Sequence, residues 1–156
     1  MSVYKADLKN IEEILFVINK SNSEAYRKII PREYFREPVL SVDELMEDFR
    51  TMTFYAYKVE ENTVGVSALK VVGDDVGQIR WVYILPEHQR KGVGASIMKH
   101  VENEAKKMRL KKLIIPDVHE KAYWARNFYT KLGYTAVGRT PRPWGDSVIY
   151  EKILSE

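Results

Sequence analysis

The segment Gln89-Arg90-Lys91-Gly92-Val93-Gly94-Ala95 sets two cations and two glycines between a strand-like run ending at Pro86 and a helix-like run. A strand, a glycine turn and a helix in that order aim unpaired backbone N–H groups outward at the positive end of the helix dipole. Such a site suits a phosphate. Gly92 and Gly94 clear side chains from the approach and permit positive φ, while Arg90 and Lys91 add charge. The same glycines also suit a tight turn or a close helix–strand contact, and a bare G-x-G does not choose between them. Two phosphate loops are excluded by spelling: no Gly-Lys-Ser/Thr follows, and position 97 is Ile where a dinucleotide fingerprint has its third glycine.

Other chemistries are removed by what the chain lacks. It has no cysteine, so a disulfide framework, a thiol nucleophile and a thiolate metal site are all excluded. The three histidines, His88, His100 and His119, show no zinc-helix spacing, and no metal is expected. The net charge of +3 and pI near 8.9 are mild; they accommodate an anionic ligand without calling for nucleic acid.

The elements that must position these residues follow from size and pattern. A chain of 156 residues, 45% hydrophobic, is expected to form a single domain over residues 1–156. Its start, MSVYKADLKN, turns polar at once, and no run of about 18 apolar residues occurs. No leader or membrane span is expected, and a cytoplasmic protein is.

After a short strand near Val3 and Tyr4, Asp7 is placed to cap a helix carrying Leu8, Ile11, Ile14, Leu15 and Ile18. KSNSEAYRKIIPREYFREP has no clean period and reads as a loop or broken helix. Ser41 and Glu44 form a capping box for a second helix through about Phe49. A hairpin turning at Glu61-Asn62 is followed by the strand VGQIRWVYIL. A third helix runs from Gly92 to Met108, a strand KLIIPDV follows with Pro116 inside it, and a fourth helix is stopped by Gly133. TAVGRT and SVIYEKI close the chain around PRPWGD. The expected fold is a mixed α/β domain, about seven strands flanked by about four helices.

QRKGVGA resembles the Q/R-x-x-G-x-G/A signature of the GCN5-related N-acetyltransferases (GNAT), and FYTKLGY resembles that family's F-Y-x-K-L-G-F/Y segment. The order of elements agrees along essentially the whole chain. The resemblance implies acetyl-coenzyme A as cosubstrate, with its pyrophosphate on Gln89, Arg90, Lys91, Gly92, Val93, Gly94 and Ala95. Its pantetheine arm would pair with backbone near Val82, Tyr83 and Ile84, where the central sheet splays. Pro116 suits such a parting, and equally suits an ordinary edge. IPDV resembles a later-strand stretch of relatives that acetylate protein N-termini, the ribosomal-protein alanine acetyltransferases among them.

The same resemblance implies roles in amine acetylation. Tyr129 matches the tyrosine that contacts the coenzyme sulfur and serves as general acid; helical spacing alone would also suit it as a core aromatic. Asp117 matches the position of a glutamate base, one methylene shorter, and reads equally as a solvated strand-end carboxylate. The chain departs from the family pattern at Gln78, where many members have glutamate, and at Ala122, seven residues before Tyr129, where relatives have asparagine. Tyr26, Tyr34, Phe35 and Trp144 lie in loops that flank the acceptor in this family. With no cysteine to carry an acyl group, direct transfer in a ternary complex is expected. The acceptor is a peptide N-terminus, a lysine or a small amine, the first slightly favoured. Neither nucleic acid nor membrane is an expected partner, and a homodimer is left open. A non-catalytic acyl-coenzyme A sensor is the alternative reading.

Overall fold

The computed structural model describes residues 3–154; the outermost residues of the expected 1–156 domain lie outside them. Seven strands form one sheet: β1 (Val3–Lys5), β2 (Thr53–Val59), β3 (Asn62–Val71), β4 (Val76–Ile84), β5 (Lys112–His119), β6 (Thr135–Thr140) and β7 (Ser147–Ile153). Their spatial order is β1-β2-β3-β4-β5-β7-β6. Every neighbouring pair is antiparallel except β4 with β5. The parallel pair needs a crossover, which is supplied by helix α3 (Val93–Lys107). Helices α1 (Ile11–Tyr26), α2 (Val42–Thr51) and α4 (Tyr123–Lys131) complete the domain. Among the described residues no helix is long and apolar enough to cross a membrane.

Helices α1 and α3 pack on opposite faces. Neighbouring residues in a strand point to opposite sides, and a Cβ on Gly65 would meet Val93 and Ile97 of α3. Val66, next along, pairs with Tyr83, whose hydroxyl donates to Asn22 of α1 at 2.9 Å. The core therefore has two layers about the sheet. Ile14, Val17, Ile18 and Leu45 are buried in it from α1 and α2, and Ile97, Met98 and Val101 from α3. Each such side chain contributes roughly 1.5–3 kcal/mol by leaving water.

Two expectations on the first helix need correction. Leu8 is 56% exposed, because residues Leu8–Asn10 form a 3-10 turn, capped by Asp7, that shifts the phase of the apolar stripe. The helix also continues to Tyr26, through residues whose polar pattern reads as a loop. Tertiary partners decide this. Asn19 donates to the Leu40 carbonyl at 2.9 Å, Asn22 accepts from Tyr83, and Ser23 bonds Glu37 and Arg27. With those groups satisfied, burial of polar residues on a helix is no longer costly.

Helix α2 begins as its spelling predicts. Ser41 and Glu44 form the reciprocal capping box. Hydrogen bonds from the Arg36 guanidinium, with the Ser41 N–H in support, hold the Glu44 carboxyl down to about 2 from an ordinary 4.5. A lowered folded-state value means the contribution is present above the ordinary carboxylate range and is lost as pH falls. Glu44→Gln should therefore melt below the unsubstituted protein at neutral pH. The difference should shrink between about pH 4.5 and pH 2. Thermal melts across that range test this; a gap that stays constant would remove ionisation as its cause.

Candidate functional site

The parallel ladder between β4 and β5 lasts only three pairs, Val76–Lys112, Gly77–Leu113 and Gln78–Ile114. Beyond them the strands part. Pro116 has no N–H to offer a ladder, and the pairing of β5 with β7 shifts register between Ile115 and Val118. Its missing donor therefore falls where neither neighbour needs it. On the other side, Trp81 adopts φ +55°, and the pairing of β3 with β4 slips between Val66 and Ala68. This is a β-bulge, which kinks the strand and re-aims its side chains. The Trp81 indole nitrogen is turned to α2 and donates to Asp48 at 2.9 Å.

The parting strands enclose a cavity of about 950 Å³. It is lined from the α1 face by Ser21, Ala25 and Tyr26, and from the α3 face by Gly92, Gly94 and Ala95. It therefore passes through the sheet. Helix α4 spans its open end: Trp124 packs on Tyr26 of α1 with ring centres 5.7 Å apart. At the other end of α4, Phe128 lies against Gly94, where an added Cβ would be 3.0 Å from its ring.

On the α3 face the glycine loop has the form expected of it. Gly92 caps α3 at φ +83°, and an added Cβ would meet nothing within 4 Å. The N-terminus of a long helix is thus open toward the cavity. Arg90 is also left-handed, at φ +63°, and the Gln89 amide donates to the Ile84 carbonyl at 2.9 Å, tying the loop to the end of β4. Gln89 and Arg90 line the cavity beside Val82, Tyr83 and Ile84. Two residues of the expected set do not line it: Val93 is buried under the sheet beside Gly65, and Lys91 is exposed. Lys131 of α4, the lysine of the FYTKLGY segment, lines it as well.

Tyr129 and Asp117 reach the same cavity from α4 and β5. Tyr129 is buried among Phe128, Tyr134 and Tyr150. Burial, with a smaller effect from Tyr26, raises its hydroxyl well above the usual phenol range, so it stays protonated and a donor. Burial likewise pushes Tyr26 up to about 12. Asp117 is exposed, and its Oδ1 accepts from Arg142 at 2.9 Å. Among the described residues no group of three or more histidine or acidic side chains could hold a metal ion.

The loop between β6 and β7 is held by a lone histidine in a polar stretch of sequence. His119 is buried. The Lys121 N–H donates to its Nδ1 at 3.1 Å, so Nε2 carries the proton and donates to the Trp144 carbonyl at 2.9 Å. Gly145, at φ +123°, lets the loop lie on that ring; a Cβ there would be 2.6 Å from Nε2. Trp144 in turn packs on Tyr34 at 5.8 Å, joining the two loops. The only sequence signal was the Trp-Gly pair after two prolines, which marks a turn but not its partner.

A sequence model described as the Acetyltransferase (GNAT) family matches residues 17–134. No curated protein matches the sequence. Among solved structures, the PaiA N-acetyltransferase from Thermoplasma acidophilum in complex with coenzyme A superposes with a TM-score of 0.82 at 20% identity, covering 98% of this chain and 99% of that one. The ribosomal-protein-S18-alanine N-acetyltransferase from Escherichia coli gives 0.79 at 15% identity, covering 99% of this chain and 94% of the other. Ard1 from Thermoplasma volcanium gives 0.82 at 15%, covering 99% and 98%.

The two glycines of the loop are expected to respond differently to the same substitution. Gly92→Val should cost about 1–2 kcal/mol for the left-handed backbone, keep the fold, and weaken coenzyme A binding at least tenfold by filling the open helix end. Gly94→Val should act mainly on stability, by about 1–3 kcal/mol, by displacing Phe128. Calorimetric titration with coenzyme A, beside thermal melts, separates them. Unchanged affinity in Gly92→Val would overturn the assignment of this loop.

Proposed function

The chain belongs to the GNAT acetyltransferase family, so acetyl-coenzyme A is its cosubstrate, and we propose that the acceptor is an amine entering from the α1 face, a peptide N-terminus in preference to lysine. The observation that carries this reading is the cavity through the sheet. One mouth is a helix N-terminus with open space over Gly92; the other is bounded by Ser21, Tyr26 and Trp124. Two ligands entering from opposite faces meet in the gap between β4 and β5, the arrangement that direct transfer requires. The chain's composition agrees, since there is no cysteine to carry an acyl group.

The residues present fit the cosubstrate. The Gly92 turn and the first turn of α3 offer backbone N–H groups for phosphate, Arg90 and Lys131 add charge, and the freed edge of β4 offers Val82, Tyr83 and Ile84 to an amide-bearing arm. Acetyl-coenzyme A supplies a thioester, which is activated toward attack by an amine. Tyr129 is the donor to the departing sulfur. Its hydroxyl is held protonated by burial, and full transfer from so weak an acid to a thiolate near 8.5 is uphill. Its contribution is therefore a hydrogen bond that strengthens as charge develops on sulfur. Asp117 gives one oxygen to Arg142, and its second oxygen is left to take the amine proton through water.

The preference for an N-terminus follows from the amine itself. At neutral pH about one in ten α-amino groups is uncharged, against about one lysine in 2,500. A carboxylate that reaches the amine only through water gives limited help in removing a proton, which suits the former. The acetyl-coenzyme A pool on which this chemistry draws supports a cytoplasmic setting.

The test is thiol release from acetyl-coenzyme A with three acceptors: a peptide with a free alanine N-terminus, an Nα-blocked lysine peptide and an aliphatic diamine. The first should react fastest, and Tyr129→Phe should lower kcat by about 10²–10³ with coenzyme A affinity little changed. Acetylation of the blocked lysine peptide alone would overturn the acceptor assignment. An unaffected Tyr129→Phe would remove the tyrosine from the chemistry.

A further inference from the structure

Helix α1 faces the sheet with one stripe, and that stripe changes character along its length. Ile14, Val17 and Ile18 are fully buried and apolar; one turn further on, Ser21 and Asn22 hold the same face and are equally inside. The change falls where the helix leaves the covered sheet and reaches the gap between β4 and β5, because Ser21, Ala25 and Tyr26 line the cavity. Asn22 has an evident purpose, as acceptor for the Tyr83 hydroxyl. Ser21 has none within the protein. It is 2% exposed, and its hydroxyl has no hydrogen-bond partner among the described residues.

A helical hydroxyl shut away from solvent can bond back to the carbonyl one turn earlier. Thr130 in α4 does so, to Arg126 at 2.8 Å. A buried hydroxyl left without a partner is costly, and alanine at the same place would pack without that cost. The other orphan hydroxyl, Ser67, sits in β3 opposite the bulge at Trp81 and does not line the cavity. Ser21 is thus an unsatisfied polar group at the mouth opposite the glycine loop.

We propose that Ser21 binds the acceptor: its hydroxyl oxygen accepts a hydrogen bond from an N–H of the incoming neutral amine. The proposal rests on acetyl transfer as read above and deepens it. A neutral primary amine has one lone pair to attack with and two hydrogens to place. Giving one hydrogen to a fixed oxygen orients the lone pair toward the gap between β4 and β5. The Tyr83 hydroxyl is fixed by donating to Asn22, and one Asp117 oxygen accepts from Arg142. Among the described residues that line the cavity, Ser21 is the one whose side-chain oxygen is both fully buried and without a partner.

The experiment compares unsubstituted protein, Ser21→Ala and Ser21→Thr with the same three amines at saturating acetyl-coenzyme A, together with melting of the ligand-free proteins. Binding of the amine predicts that Ser21→Ala lowers kcat/KM for the amine roughly 5- to 10-fold. It should leave KM for acetyl-coenzyme A unchanged and melt no lower than the unsubstituted protein, since an orphan hydroxyl has been removed. Ser21→Thr, which restores the oxygen, should recover part of the loss. Overturning results are a kcat/KM within twofold in Ser21→Ala, or a lowered melting temperature with kinetics intact, which would make the hydroxyl a structural partner of internal water. No turnover of any amine by the unsubstituted protein would overturn the acetyl-transfer reading and this proposal together. Loss of the Ser21 effect alone leaves acetyl transfer standing.

Discussion

A strand edge in a protein interior must give its N–H and C=O groups to something. In this fold β4 and β5 meet that demand for three residue pairs and then abandon it, in the middle of a seven-stranded sheet. The rest of the architecture accommodates that parting. Pro116 withholds a donor where none is wanted, the bulge at Trp81 bends the facing strand, and α4 lies across the gap. A ligand with amide groups can take the place of the missing neighbour strand, which is the use proposed for the opening.

The position of α1 and α3 on opposite faces turns the opening into a passage. Each helix presents a different kind of surface to it. From α3 comes an N-terminus and a glycine whose absent side chain leaves room; from α1 comes a polar continuation of an otherwise apolar stripe. Between them stands Tyr129, whose burial among aromatic rings raises its hydroxyl out of the range where it would ionise. The core thus keeps the hydroxyl in its donating form without a charged neighbour.

Much of this was legible in the residue order. Strands β6 and β7 begin and end where TAVGRT and SVIYEKI do, and the capping box at Ser41 forms as spelled. The glycine loop was legible because helix ends and positive φ are local requirements, met within a few residues. What stayed hidden depends on partners distant in sequence. Residues 20–26 look like loop until Tyr83 and Glu37 arrive to satisfy them. Trp81 looks like any strand tryptophan until the mismatch with β3 forces it left-handed. His119 looks solvated until the loop around Gly145 closes on its ring. Cavity-lining residues such as Ser21 were missed for the same reason: a serine in a helix carries no mark of what stands opposite.

The two mouths of the passage are also made of different material. The one beside Gly92 is backbone: a helix end, a turn and a strand edge. The one beside Tyr26 is side chains, with Tyr26 on Trp124, Tyr34 on Trp144 and Arg142 on Asp117. Point substitution rewrites side chains and leaves peptide groups in place. Heredity can therefore remodel the second doorway residue by residue while the first endures through wide divergence of sequence.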